Sequence, residues 1–129
     1  MNGFALDTNI VSAHLRGDAK VGNQILVQSR LYLPVTVLGE LFYGAHHNEH
    51  SEKQLAKVKA FLPLVQTVHV DDDIALQYGV LKARLAGMGS LIPENDMWIA
   101  ATCLAHDLTL ASRDGHFLAV QDLRVVRWD

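Results

Sequence analysis

Phe4-Ala5-Leu6-Asp7-Thr8-Asn9-Ile10-Val11 is the stretch that decides the fold. Phe4 to Leu6 reads as a short buried strand that ends at Asp7. Thr8 and Asn9 supply helix-start chemistry, and Ile10, Val11, Ala13 and His14 follow on a helix that Gly17 stops. A strand that runs straight into a helix is the repeating unit of a parallel sheet. Outward from it, the alternation continues. A second helix is expected over residues 19–29, then a strand at Leu31-Tyr32-Leu33 closed by Pro34. Thr36 is placed to cap a helix over residues 37–46, and Ser51 opens another that Pro63 ends. Residues 65–70 alternate as a third strand. Asp71-Asp72-Asp73 complements the positive end of a helix that runs to Gly87-Met88-Gly89. Pro93 begins a helix to about His106, residues 108–111 form a fourth strand, and Val125 and Val126 suggest a fifth. The expected architecture is α/β: one domain over residues 1–129, with a parallel β-sheet of four to five strands flanked by helices on both faces.

Composition narrows the function. Half of the 129 residues are hydrophobic and 19% are charged, a globular balance. A chain of this length buries roughly two thirds of its unfolded surface, so folding needs neither metal nor disulfide. The single cysteine, Cys103, excludes an internal disulfide. The opening segment has no basic leader, and no run approaches the roughly 20 apolar residues of a membrane span, so a cytoplasmic protein is expected. Eleven Lys and Arg against fourteen Asp and Glu give a net charge of −3, unlike a general nucleic-acid coat. Gathering four carboxylates into one metal site would move the remainder from −3 to +1. Net charge therefore leaves an RNA substrate open.

Four acids stand at unusual addresses. In parallel sheets, ligands bind beyond the carboxyl ends of the strands, and Asp7 and Asp114 follow the first and fourth strands. Glu40 interrupts the apolar segment 37–42, with Gly39 and Gly44 leaving open space nearby. Asp96 sits one turn ahead of Ile99, Ala100 and Cys103, on a largely apolar helix face. Singly, each has an ordinary reading. Asp7 and Asp96 could serve helix starts, Asp114 a turn before Gly115, and Glu40 an exposed helix face. Together, acids converging on one end of a compact sheet raise one another's pKa unless a cation compensates. A hard divalent cation, Mg²⁺ or Mn²⁺, suits such a set.

These blocks carry a resemblance. Leu6-Asp7-Thr8-Asn9, Gly39-Glu40-Leu41 with Gly44-Ala45, Ile92-Pro93-Glu94-Asn95-Asp96 leading into Ile99-Ala100-Ala101, and Leu110-Ala111-Ser112-Arg113-Asp114 with His116-Phe117 follow one another in family order. The chain resembles a PIN domain, and more closely a VapC-type ribonuclease toxin of a toxin–antitoxin pair. The resemblance implies an α/β/α sandwich and metal-dependent endonuclease activity on RNA. Its acidic quartet falls on Asp7, Glu40, Asp96 and Asp114. Asp7 and Asp96 would be the principal metal ligands, for Mg²⁺ or alternatively Mn²⁺. Glu40 would hold metal or its water, and Asp114 would complete the site. Thr8, Asn9 and Ser112 match polar positions that orient ligands, and Glu94 lies two residues before Asp96. A homodimer is implied, silenced by a cognate antitoxin protein that forms a hetero-oligomer with it. Arg16, Lys82, Arg84 and Arg113 are candidates to hold RNA phosphates.

Other signals are discounted. His46 and His50 lie one helical turn apart, but zinc would want further ligands at fixed spacing, and HExxH is absent. Cys103 and Trp98 lie in an apolar helix and read as core; Trp128 lies in the tail. Two other functions compete. A phosphoryl-transfer hydrolase would use Asp7 as a covalent nucleophile, with a second Asp where this chain has Asn9. A non-catalytic module would keep the fold and bind RNA or a protein. Metal-dependent RNA cleavage separates the three readings.

Overall fold

The computed structural model describes residues 3–129. The elements are β1 (Phe4–Leu6), α1 (Thr8–Leu15), α2 (Ala19–Val27), β2 (Leu31–Pro34), α3 (Val35–His46), α4 (Ser51–Phe61), β3 (Gln66–Val68), α5 (Asp72–Gly87), α6 (Glu94–His106), β4 (Thr109–Ala111) and β5 (Val125–Val126). Short 3₁₀ turns lie at Leu62–Leu64 and Gly115–Ala119. The five strands are all parallel, in the order β3-β2-β1-β4-β5. The chain builds β2 and β3 on one side of β1, then returns to add β4 and β5 on the other. That reversal leaves a crevice beyond the ends of β1 and β4, where open α/β sheets bind ligands.

Burial explains why the strands lack alternation. Every residue of β2 is buried, as are Ala5 and Leu6 of β1 and Leu110 and Ala111 of β4. Helices cover both faces of these central strands, so they are apolar at those positions, whereas the edge strand β3 keeps Gln66 exposed. Leu6, Leu33 and Leu110 pack with Ile10, Leu81, Ile99 and Phe117, all at most 2% exposed. Each such side chain contributes about 1.5–3 kcal/mol on burial, which fixes the strand ends against one another. The helix starts are capped as the composition suggests. Asp18 Oδ1 accepts the Val21 N–H at 3.1 Å, and Asp71 Oδ1 accepts the Ile74 N–H at 2.9 Å, with Asp72 and Asp73 in the first turn of α5. Gly17 ends α1 at φ +90°, a conformation that a Cβ disfavours.

The structure departs from the sequence expectation at a few points. Pro34 is the last residue of β2, and its φ of −55° lets α3 begin directly at Val35. Thr36 therefore falls inside the first turn; it caps nothing, and its hydroxyl is buried without a partner. β3 stops at Val68 because its neighbour ends opposite it, at Pro34, which leaves Val70 exposed. Trp128 belongs to the core, packed on Phe4 with ring centroids 5.2 Å apart. Trp98 is only half-buried and stacks on Tyr78 at 3.8 Å. Among the described residues, no helix is long and apolar enough to cross a membrane.

Candidate active site

Asp7 caps α1 and faces the crevice at the same time. Its Oδ1 accepts the Thr8 N–H at 2.8 Å, and its Oδ2 accepts the Ser112 hydroxyl at 2.6 Å. The residue is 4% exposed. Burial drives its carboxyl upward, the Ser112 and Thr8 bonds pull it back, and the charges of Asp96 and Glu40 push it up again, to about 6. One carboxylate thus both caps α1 and lines the cleft.

Neighbouring side chains tie this acid to the rest. The Thr8 hydroxyl donates to Glu40 Oε1 at 2.9 Å, bringing α3 to the end of β1. Gly39 and Gly44 face open space, as their positions beside Glu40 suggest. Ser112, buried just beyond β4, also accepts the Asp114 N–H at 3.0 Å. Asn9 Oδ1 accepts the Arg113 N–H at 3.2 Å, so it is spent on fixing that loop. The pattern with a second nucleophile-side Asp has no counterpart here.

Asp96 enters from the first turn of α6. Pro93 precedes that helix without a side-chain cap, and Asp96 turns instead to His116, whose Nδ1 lies 2.8 Å from Asp96 Oδ2 and 3.1 Å from Asp114 Oδ1. Burial raises the Asp96 carboxyl, the His116 bond lowers it, and Asp114 raises it. The bond to Asp96, aided by the charge of Asp114, holds the imidazole above its ordinary value. Asp114 also accepts the His116 N–H at 2.9 Å and so caps the 3₁₀ turn, the turn role its sequence suggests. One cleft of about 400 Å³ is lined by Asp7, Glu40, Asp96 and Asp114, together with Thr8, Asn9, Arg16 and Arg113.

The remaining candidates have other partners or places. Arg113 lines the cleft, but its guanidinium is committed to Asp18 at 3.0 Å and to the Trp128 carbonyl at 2.8 Å. Lys82 pairs with Glu94 at 3.2 Å, and Glu94 also takes the Tyr78 hydroxyl, so neither joins the acids. Arg84 lines a separate cleft with Gln121 and Asp122. His46 and His50 enter no group of three metal-ligating side chains among the described residues. Cys103 is buried, with its thiol pushed up to about 12, and is inert core. The residue that sequence reasoning gave no role is His116. Its signal is faint: an imidazole two residues after Asp114 and directly before Phe117, which is 1% exposed.

The donor chemistry fits a hard divalent cation. All four acids offer oxygen, and a buried carboxylate held near 6 by burial and like charge gains most from a cation.

Comparison with known proteins identifies the family and the fold. The PIN domain family matches residues 4–123. A relative from Haemophilus influenzae, called Ribonuclease VapC2, is 35% identical over 128 residues, covering 97% of each chain. The DNA-bound VapBC crystal structure from Salmonella typhimurium superposes with a TM-score of 0.94 at 26% identity, covering 100% of each chain. The VapBC-1 structure from nontypeable Haemophilus influenzae gives 0.89 at 25% identity, covering 98% of each.

Proposed function

The chain belongs to the PIN domain family and, through its likeness to the VapC ribonucleases, is the ribonuclease toxin of a toxin–antitoxin pair; we propose that it acts as a metal-dependent endoribonuclease through Asp7, Glu40, Asp96 and Asp114. One observation carries this reading. Four carboxylates from separate elements line one cleft at the reversal point of the sheet.

Asp7 and Asp96 would hold Mg²⁺ or Mn²⁺ as principal ligands, with Glu40 and Asp114 completing the set. Such a cation supplies an activated water and offsets charge on the phosphate. The chain's own residues prepare that chemistry. Ser112 and the Thr8 N–H fix both oxygens of Asp7, so its carboxylate need not reorganise. Thr8 steadies Glu40, leaving its second oxygen to orient water or take its proton. Arg16, at the cleft wall, suits a neighbouring phosphate of an RNA strand.

The same reading takes residues 1–129 as one domain, RNA as the substrate, and a cytoplasmic homodimer that a cognate antitoxin joins in a hetero-oligomer. The likeness to VapBC complexes supports the antitoxin as partner. The test is cleavage of RNA by the purified chain with Mg²⁺, with Mn²⁺ and with excess EDTA, beside Asp96→Asn. Cleavage that needs the cation and Asp96 supports the proposal; undiminished cleavage in EDTA refutes it.

A further inference from the structure

We infer that His116 is itself a metal ligand of this site, contributing an imidazole nitrogen beside the carboxylates of Asp96 and Asp114, and that it turns the site toward Mn²⁺ over Mg²⁺. The inference rests on the metal-dependent reading above and adds to it a residue outside the acidic quartet.

Three donor atoms carry the argument. Asp96, Asp114 and His116 each offer one ligand atom, and the three lie within 4.8 Å of one another. Nδ1 of His116 stands 2.8 Å from one carboxylate oxygen and 3.1 Å from the other. In an octahedral site with bonds of about 2.1 Å, adjacent ligand atoms are about 3.0 Å apart. The imidazole nitrogen therefore has the spacing of a neighbouring ligand, a spacing that a hydrogen bond to the same oxygens shares and that the experiment below resolves.

Local structure holds it there. The His116 backbone N–H is anchored on Asp114 at 2.9 Å, and the next residue, Phe117, is 1% exposed in the core. The 3₁₀ turn thereby fixes the backbone that carries the imidazole beside Asp96 and Asp114. Its ring is half-exposed, so water can satisfy the nitrogen that does not face the acids.

The chemistry then favours one cation. Mg²⁺ prefers oxygen donors and gives up water reluctantly, whereas imidazole suits first-row transition metals. A nitrogen among the carboxylates helps Mn²⁺ more than Mg²⁺. The rival role for His116 is a positively charged stand-in that metal must displace. The two roles predict opposite signs, because removing a ligand weakens metal binding and removing a competitor strengthens it.

The experiment uses the whole chain, stripped of metal, with MnCl₂ and MgCl₂ as probes. Binding of each is titrated calorimetrically and by thermal shift, and Mn²⁺ bound to the protein is examined by pulsed electron paramagnetic resonance for coupling to ¹⁴N. His116→Ala is compared with the parent, with melting in EDTA as the check that it folds. The expected result is ¹⁴N coupling in the parent that is lost in the variant. Mn²⁺ affinity should fall by about tenfold or more, and Mg²⁺ affinity by less than about threefold. Equal losses for the two ions, tighter Mn²⁺ binding in the variant, or no ¹⁴N coupling in the parent would overturn the inference while leaving the carboxylate site in place. If neither ion binds the parent, the metal-dependent reading falls, and this inference with it. Should the variant fail to fold, the coupling in the parent decides alone.

Discussion

Asp7 and Asp96 face one cleft from different footings. Asp7 sits at the end of a central strand, is 4% exposed, and has both oxygens held by Thr8 and Ser112. Asp96 stands on the first turn of a helix, its side chain 14% exposed, and leans on His116, which is half-exposed. Burial raises both carboxyls, but the bond to His116 offsets it at Asp96, whereas Asp7 finds no cationic partner among the described residues. The comparison separates a carboxylate fixed by the interior from one that leans on a neighbouring imidazole. The first stores electrostatic cost in the metal-free protein; the second has much of it relieved.

For RNA cleavage the two acids should behave alike. Asp7→Asn and Asp96→Asn should each lower the rate at least about a hundredfold at saturating Mg²⁺ or Mn²⁺, since in the proposed mechanism each removes a charge aimed at the reaction centre. Single-turnover cleavage of a defined RNA measures this, and retained activity in either variant would strike that acid from the site.

Metal-free stability should divide them. Folded Asp7 keeps its proton up to about pH 6, whereas the unfolded carboxyl releases it near 3.8. The stabilisation is fully present below the unfolded value and is lost as pH rises through the folded one. At neutral pH the full shift corresponds to a ceiling of about 3 kcal/mol. Asp7→Asn should therefore be more stable than the parent in EDTA by about 1–2 kcal/mol, the remainder being lost with its charged hydrogen bonds. Urea unfolding across pH 3 to 8 reads this. The advantage should fade below about pH 4, and added cation should reverse it by stabilising the parent alone.

Ser112→Ala tests the support beneath Asp7. It removes the donor to Asp7 and the acceptor for the Asp114 N–H. It should destabilise by about 1 kcal/mol at neutral pH, with a cleavage loss smaller than that of Asp7→Asn. Asp96→Asn should raise metal-free stability least, by under about 1 kcal/mol, because its charge already has His116 and loses a favourable helix position. If it gained as much as Asp7→Asn, the distinction between the two footings would fail.

The strands, the helices and the four acids were legible because each rests on local chemistry. A short apolar run followed by Asp7-Thr8-Asn9 can do little else than end a strand and start a helix. What was hidden depends on partners far along the chain. The length of β3 follows from where Pro34 ends β2, and Thr36 lost its cap because Pro34 already opens α3. Trp128 reads as tail until Phe4 is beside it. His116 has no periodicity to mark it. Its meaning comes from Asp96, 20 residues earlier, and only the folded turn brings them together.

The strand order has a consequence for synthesis. Phe4 pairs with Thr109, and Asp7 receives its hydroxyl from Ser112, so the edge of the first strand that does not face β2 waits for the fourth. Contacts of such long sequence separation form late, since the chain must close a long loop first. A nascent chain still threaded through the ribosome before Ser112 and Asp114 emerge holds Asp7 and Glu40 but no completed cleft. The cleft is thus absent from any amino-terminal fragment that stops short of β4 and the loop after it.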